Sequence, residues 1–145
     1  MDNLFFTDEH IMIRDMVREF ADTEITPVAR DLDEQGEFPT ALVNKMGELG
    51  LMGILIPEEY GGSGLDMVAF ATAIIELARA DASVAITMAA HTSLGSLPIL
   101  MFGSDEQKNT YLPKLATGEM LGAFGLTEPD AGSDAGATKT KAVRD

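Results

Sequence analysis

The sequence predicts an all-α fold that closes on a short β segment, and three observations carry that prediction. Apolar residues recur at helical spacing from about Thr7 to Glu119. Capping residues stand where the periodic stretches begin, at Thr7, Asp66 and Ser104. After Glu119 the texture changes to a glycine-rich apolar run and an alternating tail. The expected organisation is an α-helical domain over residues 1–119 and the opening strands of a β domain over 120–145.

The first helix begins at Thr7, with Phe6 and Ile11 as a hydrophobic staple and Ile13, Met16, Val17, Phe20 and Ala21 on one face. It is expected to end near Pro27, with a short continuation through Asp33. A second helix starts after Pro39, turns Leu42, Met46 and Leu49 inward, and stops at Gly50. The GGSG run from Gly61 reads as a loop. It lacks the Lys and Ser/Thr of a P-loop and the spacing of a dinucleotide fingerprint.

Asp66 caps a helix through Ala78 that is apolar nearly all round, which predicts a central, enclosed position. Ser83–Ser96 is helical, Pro98 interrupts it, and Ser104 with Gln107 opens the next helix as a capping box. The nine methionines are scattered through these helices as core fillers. LGAFGL and ATKTKA are strand candidates in the tail. With no further chain to pair with, their amides must be met by water, the helical core or another copy of the chain.

The whole has 145 residues, 46% hydrophobic and 23% charged, as a globular domain does. A formal net charge of -14 repels polyanions and argues against nucleic acid as a partner. With no cysteine there is no disulfide, thiolate metal site or thiol nucleophile, and His10 and His91 lie in no ligand-spaced cluster. His91 is expected on a helix surface or in a satisfied core position. Ala82–Gly103 carries no Asp, Glu, Lys or Arg, yet His91, Pro98 and its serines and threonines dilute it. A buried helix rather than a membrane span is expected. The acidic start, MDNLFFTDEH, is unlike a targeting sequence, which implies a cytoplasmic address for a native start.

The most informative stretch is AFGLTEPDAGSDAG, at 123–136. A short apolar run meets a turn punctuated by Pro129, Gly132 and Gly136, so the amides of Gly132, Ser133 and Asp134 can converge on a phosphate oxygen. The Ser133 hydroxyl offers one more donor. The residues from Gly125 to Asp134 resemble the signature of the FAD-dependent acyl-CoA dehydrogenases. LGLMGILIPEEYGGSGLD from Leu49 and SLGSLPILMFGSDEQKNTYLPKLATGE from Ser93 resemble the same family in the same order.

The resemblance lies closest to the short-chain, butyryl-CoA members. It implies a flavoprotein oxidoreductase of fatty acid metabolism, built from an N-terminal helical domain, a β-barrel-like middle domain and a C-terminal bundle. Such an enzyme takes a proton from the α-carbon of an acyl-CoA while the β-carbon passes hydride to FAD. Electrons then go to an electron-transferring flavoprotein, and the full-length enzyme is a homo-oligomer, dimer or tetramer.

Residue by residue, Phe124, Leu126 and Thr127 match positions bordering the flavin ring, and Gly132 and Ser133 match positions at the FAD pyrophosphate. Ser133 also matches a substrate contact, and Thr87, Ala90 and Leu94, with Ile86, match the helix that walls the acyl pocket. Core packing alone would produce that helical pattern as readily. The catalytic base of relatives is a glutamate of the C-terminal bundle, and no position here matches it. No catalytic residue is therefore expected in this chain, which by itself should be inactive. Glu128 is better explained as ordering the turn before Pro129, and Asp134 as a turn former. The alternatives are an acyl-CoA oxidase or flavin monooxygenase of the same fold, and a non-catalytic helical scaffold or acyl-binding module.

Overall fold

The computed structural model describes residues 6–143, and within them seven α-helices in chain order. They are α1 (Asp8–Phe20), α2 (Thr26–Gln35), α3 (Thr40–Glu48), α4 (Met67–Ala80), α5 (Ala82–Ala90), α6 (Leu97–Phe102) and α7 (Asp105–Ala116). The first five residues, on which the reading of the acidic start partly rests, lie outside the described part.

Local signals set most helix starts. Thr7 accepts from the His10 amide while the His10 ring accepts from the Thr7 amide, a reciprocal cap in which imidazole replaces the usual Glu or Gln. Phe6 sets its ring edge against His10, with centroids 5.8 Å apart, while Ile11, the expected staple partner, is exposed. Asp66 Oδ1 accepts from Val68 and Ala69, and Ser104 with Gln107 forms the expected box. His10 Nε2 also meets the Asp66 carboxylate at 3.0 Å, joining the N-termini of α1 and α4.

Neither proline breaks its helix. α1 runs into α2 through Ala21–Ile25, and α5 runs into α6 through His91–Ser96; both connections are π turns. In them the Thr26 amide reaches back five residues to Ala21 O, and the Leu97 amide to Thr92 O. Pro27 and Pro98 follow directly on the widened turns, which relieve the ring's clash with the preceding carbonyls. The first rod therefore continues past Asp33 to Gln35 and ends at Gly36 in a left-handed conformation, φ 65°.

α1 packs on α4, α4 on α5, and α6 on α7. The main core joins Val17, Phe20, Ala21 and Ile25 to Leu42, Val43, Met46, Leu51, Met52, Ile54, Leu77 and Met88. Fully burying each large side chain of this set stabilises the fold by roughly 1.5–3 kcal/mol. A smaller cluster joins Ile56 to Leu112, Leu115 and Ala116. Glu76 is buried in α4, where Arg18 grips both carboxylate oxygens (2.6 and 3.0 Å) and Arg79 adds a third contact at 3.3 Å.

Two inward assignments are corrected. Leu49 is exposed, because α3 ends at Glu48: the helix buries Leu42, Val43 and Met46, and the turn after it buries Leu51 and Met52. α4 is not enclosed on all sides: Ala69, Thr72, Ala73, Glu76 and Leu77 are buried, whereas Met67, Val68 and Ile75 face outward. The GGSG loop folds back onto its own approach. Gly61, Gly62, Ser63 and Gly64 donate their amides to Glu58, Pro57, Gly53 and Ile56, so no amide is left to receive an anion.

Ala82–Phe102 is one 21-residue helix, long and apolar enough by composition to cross a membrane. It is only partly the buried helix expected: 33% of its most apolar stretch is buried, and Ile86, Leu94, Met101 and Phe102 are exposed, while its inner side carries the buried polar residues His91, Thr92 and Ser96, with the His91 ring bonded to three other segments of the chain. No strand forms among the described residues after Glu119; a single antiparallel bridge joins Glu128 to Ala131.

Candidate functional site

The site is built where the tail leaves the helices. His91 is fully buried at the start of the π turn that follows α5. Its Nε2–H donates to Met52 O (3.2 Å) and Leu115 O (3.1 Å), and its Nδ1 accepts the Gly122 amide at 2.9 Å. Two carbonyl acceptors on one nitrogen and an N–H donor on the other fix the neutral Nε2–H tautomer. Burial pushes its pKa below the ordinary histidine value, and the two carbonyls offset this only in part.

From Gly122 the chain passes over Gly95, and the two backbones touch. A β-carbon at Gly95 would lie 2.7 Å from Gly122 Cα, and one at Gly122 would lie 2.8 Å from Gly95 Cα. Beyond the crossing, Phe124, Leu126 and Thr127 are exposed. Among the described residues, no amide from Ala123 to Thr127 donates to a protein acceptor.

The turn that follows is held from within. Glu128 and Ala131 exchange backbone hydrogen bonds at 2.9 and 3.2 Å around Pro129 and Asp130. The Glu128 carboxylate accepts the Lys139 amide (2.8 Å), the Thr140 amide (2.9 Å) and the Thr140 hydroxyl. The hydroxyl, then those amides, hold its pKa below the usual glutamate value. Glu128 is a clamp on the turn, and a poor proton acceptor. Glu76 is likewise held ionised, first by Arg18, against the opposing effect of burial.

Gly132 and Ser133 lie exposed at the tip. Among the described residues, the amides of Gly132, Ser133 and Asp134 donate to no protein acceptor. A β-carbon at Gly132 would meet only Thr127 Cγ2, at 3.9 Å, so the space before it is open. Gly132 does not have positive φ, so close approach rather than backbone conformation is what a side chain there would disturb. Asp130 turns toward Lys139 Nζ at 3.4 Å.

On the helix, Thr87 and Ala90 are half-buried, and Leu94 and Ile86 are exposed at 45% and 66%. The Thr87 hydroxyl is spent on Ser83 O at 3.0 Å. The structure brings this helix and the tail together at Gly95 and Gly122. It places no hydrogen bond between Ser133 and the helix among the described residues. Clefts occur elsewhere, between α2 and α3 around Phe38 and between α6 and α7 around Phe102. The candidate site is thus an open surface. His91 and Gly122 were not singled out as site residues from the sequence, because their contacts span 24 to 39 positions. No cluster that could hold a metal ion occurs among the described residues.

Comparison with known proteins identifies the family. The family model described as the acyl-CoA dehydrogenase N-terminal domain matches residues 7–119. A probable acyl-CoA dehydrogenase of Bacillus subtilis is 54% identical over 141 residues, 97% of this chain and 37% of that protein. An acyl-CoA dehydrogenase of Bacillus anthracis, solved in complex with FAD, superposes with a TM-score of 0.87 at 49% identity over 93% of this chain and 23% of that one. A chain solved in work on the electron-transferring flavoprotein of Acidaminococcus fermentans superposes with a TM-score of 0.93 at 45% identity, covering 99% of this chain and 38% of that one. The chain thus spans little more than a third of the curated relative's length. With a matched family model over most of its helices and relatives alike in sequence and fold, this chain belongs to the acyl-CoA dehydrogenase family, of which it carries the N-terminal helical domain.

Proposed function

We propose that this chain is the N-terminal part of an FAD-dependent acyl-CoA dehydrogenase, and that its helical face and tail form one wall of the flavin and acyl-CoA site. The observation that carries this reading is the exposed tip at Gly132–Asp134, where three successive amides have no protein acceptor among the described residues and the space before Gly132 is open but for Thr127 Cγ2 at 3.9 Å. That is the donor chemistry a pyrophosphate requires.

The residues present fit such a group. Gly132 admits backbone to close approach, the Ser133 hydroxyl adds a donor, and Asp130 is turned toward Lys139. Phe124 and Leu126 offer apolar surface to a ring system, and Thr127 a hydroxyl at its edge. Ile86, Ala90 and Leu94 present an apolar helix face to an acyl chain, beside Thr87. Bound FAD supplies the acceptor for the hydride leaving the substrate's β-carbon.

This chain orients and excludes water, and it does not remove the α-proton. Its buried or clamped carboxylates, Glu76 and Glu128, are held in the ionised form by donors that a base would have to release. The electron acceptor in this reading is an electron-transferring flavoprotein, the partner implied by the sequence signature. A homo-oligomer and a cytoplasmic address belong to the same reading.

The test is flavin retention. The longest natural polypeptide containing this sequence should keep stoichiometric FAD through gel filtration, and its flavin should bleach when acyl-CoA is added without oxygen. Residues 1–145 alone should do neither. Absence of flavin from the long form would overturn the reading; stoichiometric flavin on the short form would overturn the dependence on further domains.

A further inference from the structure

Among the described residues, the last amide of the tail held by the helical core before the exposed run at Ala123 is that of Gly122, which His91 accepts. Glu119 and Met120 bond to Thr117 and Lys114 at the end of α7, then Gly122 bonds to His91. From Ala123 to Thr127 no amide donates to a protein acceptor among the described residues, and the next backbone anchor is the turn closed between Glu128 and Ala131. The residues proposed to face the flavin therefore hang between two fixed points.

The first of those points is rigid. The His91 ring reaches three segments at once: the buried turn after α3 through Met52, the last turn of α7 through Leu115, and the tail through Gly122. Its own carbonyl accepts the Ser96 hydroxyl at 3.2 Å, which ties the ring's backbone into the π turn. At Gly95 the two backbones are already in contact, so the tail cannot move closer to the helix.

We propose that His91 is a positioning residue for the flavin and acyl site: by accepting the Gly122 amide at Nδ1, it sets how far Phe124, Leu126 and Thr127 stand from the helix face of Thr87, Ala90 and Leu94. This rests on the functional reading above. The alternative is a histidine that merely fills the core, and the ring's two nitrogens allow the two roles to be separated. Asparagine puts an acceptor where Nδ1 stands and cannot reach Met52 or Leu115. Glutamine puts a donor near Nε2 and offers Gly122 nothing.

Two variants, His91→Asn and His91→Gln, therefore test the proposal, first by hydrogen exchange on residues 1–145. Gly122 exchange should stay within about threefold of the parent in H91N and accelerate by about tenfold or more in H91Q. In the long, flavin-loaded protein, H91Q should shift the flavin absorbance band and raise KM for acyl-CoA by about tenfold, while H91N keeps both near the parent values. Thermal midpoints should fall in both variants and so cannot by themselves produce that split.

Equal Gly122 exchange in the two variants would overturn the tether. Equal spectra and KM in variants whose Gly122 exchange differs would overturn the positioning role. A parent protein without flavin would overturn the functional reading and the flavin arm with it, while the exchange result would still decide whether His91 holds Gly122.

Discussion

Gly95 and Gly122 cross backbone on backbone, so that a β-carbon on either would fall within 3 Å of the other's Cα. Each needs its missing side chain for the other's sake. Neither has positive φ, so conformational freedom is not what selects glycine here.

Alanine at Gly95 or Gly122 should therefore destabilise the chain by about 1–3 kcal/mol or lift the tail off the helix. Alanine at Gly132, where only Thr127 Cγ2 lies near, should change stability by less than about 0.5 kcal/mol. Urea titration of the three variants checks the contrast. Equal losses at all three would mean that the crossing is not a constraint in solution.

Replacing Glu76 by glutamine should cost about 1–2 kcal/mol at pH 7, because charge-assisted bonds to Arg18 and Arg79 become neutral ones. The Arg18 guanidinium holds its carboxyl below the ordinary glutamate pKa of 4.5 in the folded chain. The unfolded chain thus binds the proton first, and the charged group's contribution, present above about 4.5, is lost as pH falls through the folded value. Stability curves of parent and variant should converge below pH 4.5. A gap that stays constant to pH 3 would contradict the ion-pair account.

His91 gives stability the same sign of dependence in a higher window. Its folded pKa lies below the ordinary 6.5, so the unfolded chain takes up a proton that the folded core refuses. Stability is unaffected by this group above about pH 6.5. It should fall as pH drops from there toward the folded value, by at most about 1.4 kcal/mol per pH unit. The H91N variant, which cannot titrate, should show a flatter profile between pH 6.5 and 5 in denaturant unfolding. Identical slopes would mean that the imidazole is not held neutral.

What the sequence determined by itself was whatever is decided within a turn or two of chain. Thr7, Asp66 and Ser104 begin helices because their oxygens satisfy amides two or three residues away, and Gly50 closes the turn after α3 because glycine adopts the left-handed conformation cheaply. The turn at 128–134 was legible for the same reason, and its residue types also marked the family. Pro27 and Pro98 carry the local signal of a break, but whether a helix widens into a π turn instead depends on what packs around it. Leu49 and the outer face of α4 are apolar yet exposed, because hydrophobicity does not say which side has a neighbour. Only the tertiary structure could assign His91, whose partners Met52, Leu115 and Gly122 reach it from three separate segments. A hydrogen bond across so much chain leaves no local pattern. It exists because burial gives a neutral imidazole a reason to find partners wherever the fold brings them.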